Sequence, residues 1–246
     1  MKKEYTSHNP VTKIKEIVKT NPFGANRNIL RPTAEVDNEV GFIMIKGLDG
    51  EWISTLANFA SHYAGDWDVD TITADFYGIF ANQMHSNLSA TDNYIGMLTY
   101  GTGGDVNTWD FNKSEQLLKT DFKRATLIGK TIANAIFRNI KGLVWEENPI
   151  LKMKYKELKI PLRKPSAREV LDAETILEKN SINGINIDTH GMSILYAREQ
   201  LLLNEYSDFH LASVQSMKIG SQFIGCLLYT SPSPRDATLS RMPSSA

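Results

Sequence analysis

The 246-residue chain has one cysteine, Cys226, and almost no net charge, with 27 Lys and Arg against 28 Asp and Glu. A single cysteine excludes a disulfide framework within the chain and a cysteine-based zinc site. The near-neutral balance gives no strong global attraction to nucleic acid or to anionic membranes, although a local basic surface remains compatible with it. No run approaches the ~18 apolar residues of a membrane span, and no apolar segment follows the basic start as in a secretory signal. We therefore expect an intracellular protein without membrane contact.

The chain also lacks the motifs of metal and nucleophile chemistry. No G-x-S-x-G elbow presents a serine, and the cysteine lies in a suspect C-terminal segment. The five histidines do not have the spacing of metal ligands: His8, His62, His85, His190 and His210. These absences favour a protein that is not an enzyme, and we expect no cofactor and no metal site.

Two segments match a ligand-binding motif only in part. Residues 129–131, Gly-Lys-Thr, look like the end of a phosphate-binding loop, but Arg124 stands where the motif requires glycine. Residues 66–70, DWDVD, resemble the opening of a calcium loop, but Thr71 replaces its glycine and Tyr77 its bidentate glutamate. We interpret the first as a chance match within a helix and the second as an exposed strand face.

The most permissive backbone lies at residues 100–105, YGTGGD. Such a loop can bind an anion, but Val106 stands where a dinucleotide fingerprint requires glycine. We favour a flexible connector and predict a hinge at Gly101, Gly103 and Gly104.

The strongest periodicity lies over residues 118–143. Apolar residues recur there at three- and four-residue steps, as on one face of an amphipathic helix, at Leu118, Phe122, Ala125, Ile128, Ile132, Ile136, Ile140 and Leu143. This predicts one long helix over about 112–142. Six basic residues lie on or near it, forming either a solvated face or a DNA-facing surface for non-specific phosphate contacts: Lys119, Lys123, Arg124, Lys130, Arg138 and Lys141.

The remaining pattern predicts an α+β, helix-rich fold with several amphipathic helices and short strands. We expect helices over about 10–20, 52–63, 74–88, 166–177 and 192–203, the fourth opened by a capping box, Ser166 to Glu169. We expect strands over 41–46, 67–71 and 151–160, the last with an irregularity, and a turn-rich connection over 89–108.

The predicted domains are a mixed α/β unit at 1–108, the long helix at 109–147 and a smaller strand-helix-helix unit at 148–225. Residues 226–246, CLLYTSPSPRDATLSRMPSSA, resemble translated adaptor read-through, and we expect a non-native or disordered tail.

The order of these features resembles that of phage portal proteins, the ring-forming head–tail connectors of tailed phages. The resemblance covers about Asn9 to Gln200 and rests on PVTKIKEIVK as a helix, GFIMIKG as a strand and DWDVDTITADFYGIFANQM as a polar strand with an acid-started helix. A hydrophobic and glycine-rich stretch, YIGMLTYGTGGDVNTWDF, then precedes the long helix. A recognisable N-terminal wing is missing, so the resemblance implies the C-terminal part of a longer protein.

This resemblance implies a structural protein of the virion, assembled in the host cytoplasm. Similar proteins form rings, commonly of twelve subunits, that pass double-stranded DNA and bind terminase and tail adaptor proteins. A long helix in such a ring would leave an apolar stripe exposed on the isolated subunit. Two alternatives remain: another viral structural subunit, such as a capsid or adaptor protein, or an α/β enzyme using Asp70, His85 and the loop Gly101–Gly104.

Overall fold

The computed structural model describes residues 3–8, 15–20, 29–32, 35–65, 70–104, 106–108, 122–179 and 187–228. Within these ranges the chain has nine strands, in three separate three-stranded sheets, and four α-helices. The expectation of a helix-rich fold is therefore wrong, and the fold is mixed α+β with small sheets. The chain forms two compact units, Met1–Val144 and Trp145–Ala246. The finer predicted divisions, after residues 108 and 225, stay predictions.

The first sheet consists of β1 (Lys3–His8), β2 (Lys15–Thr20) and β3 (Ile29–Pro32), all antiparallel with β1 in the centre. The helix predicted over 10–20 is wrong for residues 15–20, which pair with β1 along their whole length, and residues 10–14 lie outside the described residues. Their sequence, KEIVKT, contains three β-branched residues, which suit a pleated strand. The apolar spacing that indicated a helix was too short to distinguish the two structures.

The second sheet consists of β4 (Gly41–Lys46), β5 (Trp52–Phe59) and β6 (Ile95–Tyr100), with β5 in the centre. Strand β4 confirms the prediction for 41–46 and pairs antiparallel with β5, whereas β6 pairs parallel with β5. The helix predicted over 52–63 is wrong, and β6 lies in a stretch predicted to be only turns. The two wrong predictions have the same cause. Strands β5 and β6 are stabilised by hydrogen bonds to each other, between segments some forty residues apart, and such pairing leaves no trace in the local apolar spacing.

Helix α1 (Asp75–Leu88) connects β5 to β6 and confirms the helix predicted over 74–88. Helix α2 (Lys123–Asn139) is much shorter than the predicted helix over 112–142 and is followed by a 3₁₀ turn, Ile140–Gly142. Phe122 adopts a left-handed conformation, φ 54° and ψ 26°, which a continuous right-handed helix does not contain. The helix therefore begins after Phe122, and Leu118 lies outside the described residues.

The core of the first unit is the contact between α1 and α2. Phe76, Phe80 and Met84 of α1 are buried together with Ile132 and Ile136 of α2. Two residues of the expected exposed stripe, Ile132 and Ile136, are therefore buried inside the unit, whereas Ile128 is half-buried.

Gly129 allows the two helices to approach closely. A Cβ atom at this position would lie 2.7 Å from the carbonyl oxygen of Phe76 and 2.9 Å from Cγ2 of Ile79. The first neighbour is backbone and cannot move without shifting α1. Within the Gly-Lys-Thr segment, Gly129 is thus a helix-packing contact, whereas Lys130 and Thr131 are exposed.

We expect Gly129→Ala to lower the free energy of unfolding. Overpacking costs about 1–3 kcal/mol, which exceeds the gain of up to ~1 kcal/mol in helix propensity. Gly142→Ala is the matched control, because nothing lies within 4 Å of the added Cβ atom. Urea unfolding followed by circular dichroism measures both variants, and equal stability of the two would contradict the packing role.

The second unit begins with β7 (Leu151–Pro161), followed by helices α3 (Ala167–Glu178) and α4 (Ile187–Glu205). Strands β8 (Phe209–Ile219) and β9 (Gln222–Leu228) complete an antiparallel sheet in the order β7-β8-β9. Strand β7 confirms the prediction for 151–160 without the expected irregularity, because eleven consecutive residues pair with β8. The backbone of β9 enters the first three residues of the predicted tail.

The capping box at the start of α3 is confirmed. The Ser166 hydroxyl accepts from the backbone N–H of Glu169, and the Glu169 carboxylate accepts from the backbone N–H of Ser166 at 2.7 Å. The hydrogen bonds from the Ser166 backbone and hydroxyl, with Arg163 beside them, hold the pKa of Glu169 below its usual range. The start of this helix is therefore encoded locally, by the serine and glutamate alone.

Candidate nucleic-acid interface

The outer face of α2 is basic. Lys123, Lys130 and Arg138 of α2, with Lys141 in the following turn, are exposed. At 3.6 residues per turn these four positions fall within about 80° of one another, opposite the buried isoleucines. We call these four residues the basic face of α2.

No carboxylate from the same element offsets the basic face. Between Lys123 and Val144 the sequence contains neither aspartate nor glutamate. A row of cations on a helix spanning about 27 Å, at 1.5 Å per residue, can contact several phosphates of a nucleic-acid backbone. Such contacts are independent of sequence and weaken as salt increases.

Arg124 does not belong to this face. It is 3% exposed, and its Nη1 donates to the carbonyl oxygen of Ala64 at 3.4 Å. The buried carboxylate of Asp75 accepts from the backbone N–H groups of Ala64 and Gly65, at 2.8 and 3.2 Å. The two side chains therefore both bind the backbone of Ala64 and Gly65 and tie it to the starts of α1 and α2. Lys119, the remaining predicted residue, lies outside the described residues.

The sequence did not single out Asp75 as part of this arrangement. Its only local signal is Thr73, whose hydroxyl accepts from the backbone N–H of Asp75 at 3.0 Å. The backbone that Asp75 binds, at residues 64–65, comes about ten residues earlier in the chain, and the start of α2 comes much later. The role of Asp75 therefore becomes visible only in the folded unit.

The glycine segment after β6 is held against the end of β5. Gly101 donates its backbone N–H to the carbonyl oxygen of Phe59 at 3.0 Å, and His62 donates to Val106 at 2.9 Å. A Cβ atom on Gly103 would lie 2.8 Å from the backbone N of Ser61, whereas one on Gly104 would meet nothing within 4 Å. The hinge at Gly101, Gly103 and Gly104 stays a prediction, but close backbone packing is a second reason for glycine at Gly103.

We expect Gly103→Ala and Gly104→Ala to differ in stability. The first places a methyl group against backbone and should lower the free energy of unfolding by about 1–3 kcal/mol. The second fills open space and should change it by less than about 0.5 kcal/mol. Thermal unfolding of both variants beside the parent protein measures the difference. A hinge without packing constraints predicts the same small effect at both positions.

The residues of the alternative enzyme site do not form a cluster. Asp70 is exposed, and His85 is half-buried on α1, with its ring 6.2 Å from that of Tyr94. No hydrogen bond or ion pair joins Asp70, His85 and the glycine segment in the described part of the chain. Nor do the described residues contain a group of three or more His, Cys, Asp or Glu able to hold a metal ion.

The second unit exposes an apolar surface that the sequence did not predict. Every residue of β7 is exposed, and strand alternation places five large side chains on one face of the sheet. They are between 40% and 72% exposed, and we call them the apolar sheet face: Leu151, Met153, Tyr155, Phe209 and Leu211. The Tyr155 hydroxyl pairs with that of Ser213 at 2.8 Å, so the ring is held in place while its surface stays open.

The comparisons with known proteins leave the family undetermined. No protein-family model matches the chain, and no significant match to it occurs among curated proteins or solved structures. Of the described helices, none is long and apolar enough to cross a membrane. Function must therefore be argued from the surfaces of the two units.

Proposed function

We propose that this protein is a structural subunit that assembles with further copies of itself. The observation that supports this most strongly is the apolar sheet face of the second unit. Large exposed apolar patches mark sites of contact with another protein. Glu157 and Lys159 of β7 share this face, and the Nζ of Lys159 lies 4.3 Å from the centroid of the Phe209 ring. Burying the five apolar side chains, at roughly 25 cal/mol per Å² of apolar area, contributes several kcal/mol to an association.

In its specific form, the proposal is a portal, or head–tail connector, subunit of a tailed phage. The strand at 41–46 and the acid-started helix at 75–88 fit the resemblance to that family. The strand at 15–20 and the seventeen-residue α2 depart from it. A ring of identical subunits in the virion would pass double-stranded DNA and bind terminase and tail adaptor proteins, and its assembly would take place in the host cytoplasm.

The basic face of α2 supports the DNA part of this proposal. DNA that slides through a channel requires weak contacts that do not depend on base sequence. Four exposed cations suit that requirement, because cations that contact only the phosphates bind DNA with affinities of only ~10⁻⁴–10⁻⁶ M at physiological salt.

The assembly proposal predicts closed rings of the purified chain. Light scattering should give a mass several times the 27.6 kDa of one chain, and negative-stain electron microscopy should show particles with a central hole. Shells or filaments would favour a capsid or adaptor protein instead. A monomer at micromolar concentration, with intact secondary structure, would contradict the proposal.

For DNA, we expect the double variant Lys130→Glu and Lys141→Glu to bind random-sequence duplex more weakly than the parent. Since each phosphate contact contributes about 0.9 to the slope of log K against log salt, the slope should become shallower by about two. Fluorescence anisotropy of a labelled duplex over a salt series measures this.

The matched control for the DNA experiment reverses two exposed lysines elsewhere, Lys15→Glu and Lys179→Glu, with the same change of net charge. An equal loss in both double variants would show a general effect of net charge. The basic face would then have no special role in DNA binding.

A further inference from the structure

The face of the β7–β8 sheet opposite the apolar sheet face carries a row of lysines. Lys152, Lys154 and Lys156 alternate along β7, and Lys218 of β8 lies directly opposite Lys152. All four are exposed, and we call them the lysine face. In the described part of the chain they take part in no ion pair.

Helix α3 exposes a complementary stripe. Leu171, Glu174 and Glu178 follow one another at three- and four-residue steps, so they lie on one side of the helix. Leu171 is 62% exposed although it is a large apolar residue. We call these three residues the acidic stripe.

The other two carboxylates of α3 already have partners in the same chain. Glu169 pairs with Arg163 at 2.8 Å, and Asp172 pairs with Arg168 at 3.8 Å. Among the described residues, Glu174 and Glu178 have no ion-pair partner. These two carboxylates are therefore available to cations from outside the chain.

The two surfaces also match in spacing. Residues four apart on a helix are separated by about 6 Å along its axis. Alternate residues on a strand are separated by about 6.6–6.8 Å. Two carboxylates of the acidic stripe can thus lie beside two successive lysines of β7 when the helix runs along the strand.

From this match we infer that the acidic stripe of α3 in one copy docks on the lysine face of the next copy. The inference rests on the proposed self-assembly and adds a second contact, on the sheet face opposite the apolar sheet face. Because the two surfaces differ, each copy can use one surface toward each neighbour in a head-to-tail contact. A head-to-tail contact forms a ring if its rotation closes and a filament if it does not.

Charge sets the orientation of this contact more than its strength. Exposed ion pairs contribute only about 0.2–1 kcal/mol each and are screened by salt. Leu171 supplies an apolar anchor, and Leu158 and Val214 lie on the same sheet face as the lysines. Association should therefore weaken, but not vanish, at high salt.

The test uses two charge-reversed forms of the full chain. One carries Lys152→Glu, Lys154→Glu and Lys156→Glu, and the other carries Glu174→Lys and Glu178→Lys. Each alone juxtaposes like charges, so self-association measured by sedimentation velocity should weaken at least about tenfold. Mixed in equal amounts, the two forms restore opposite charges at every contact. We expect the mixture to recover assemblies that contain both forms.

The mixture controls for misfolding, because unfolded variants cannot recover on mixing. A further control reverses two exposed carboxylates of the first unit, Glu35→Lys and Glu39→Lys, and should assemble like the parent.

If the reversed forms assemble like the parent, or if mixing restores nothing, the inference is overturned while self-assembly stands. If the lysine variant loses only binding to labelled duplex DNA, the lysine face is a nucleic-acid surface and the inference is again overturned. If the parent itself is monomeric, the proposed function fails as well.

Discussion

The close approach of α1 and α2 at Gly129 is the constraint on which the first unit depends. With no side chain at that position, the carbonyl of Phe76 can lie against α2, and the isoleucines of α2 reach the aromatic side chains of α1. The same contact orients α2 so that its cations face outward. It also brings Arg124 to the backbone of Ala64, which Asp75 binds as well. Packing and charge placement in this unit therefore have a common cause.

The second unit follows a different principle. Its strands β7 and β8 pair over eleven residues, which gives a long and regular sheet, yet large side chains on both faces of that sheet are exposed. Among the described residues of this unit, the buried apolar side chains are few and mostly small: Ala173, Ile194, Ala197 and Ala212. A sheet of this kind has surface to share with another protein, and this is why we propose a function in assembly.

Local signals could be predicted from the sequence, and long-range pairing could not. The run GFIMIK, the helix from Asp75 and the capping box at Ser166 depend on neighbouring residues, and the structure contains all three. Strands β2 and β5 were predicted as helices because three- and four-residue apolar spacing also occurs by chance in strands. The break at Phe122 has no sequence signature, since left-handed backbone is uncommon for a bulky residue. The cations of α2 were visible in composition, but only folding separates buried Arg124 from exposed Lys130.

The central claim is that assembly covers the apolar sheet face. Hydroxyl-radical footprinting tests it directly, because methionine and tyrosine side chains are modified in proportion to their exposure. Met153 and Tyr155 should be protected at concentrations where the chain assembles and modified after dilution, whereas Tyr63 of the first unit, 50% exposed, serves as the internal reference. If Met153 and Tyr155 stay as reactive in the assembled sample as in the dilute one, this face is not the interface and the account is contradicted.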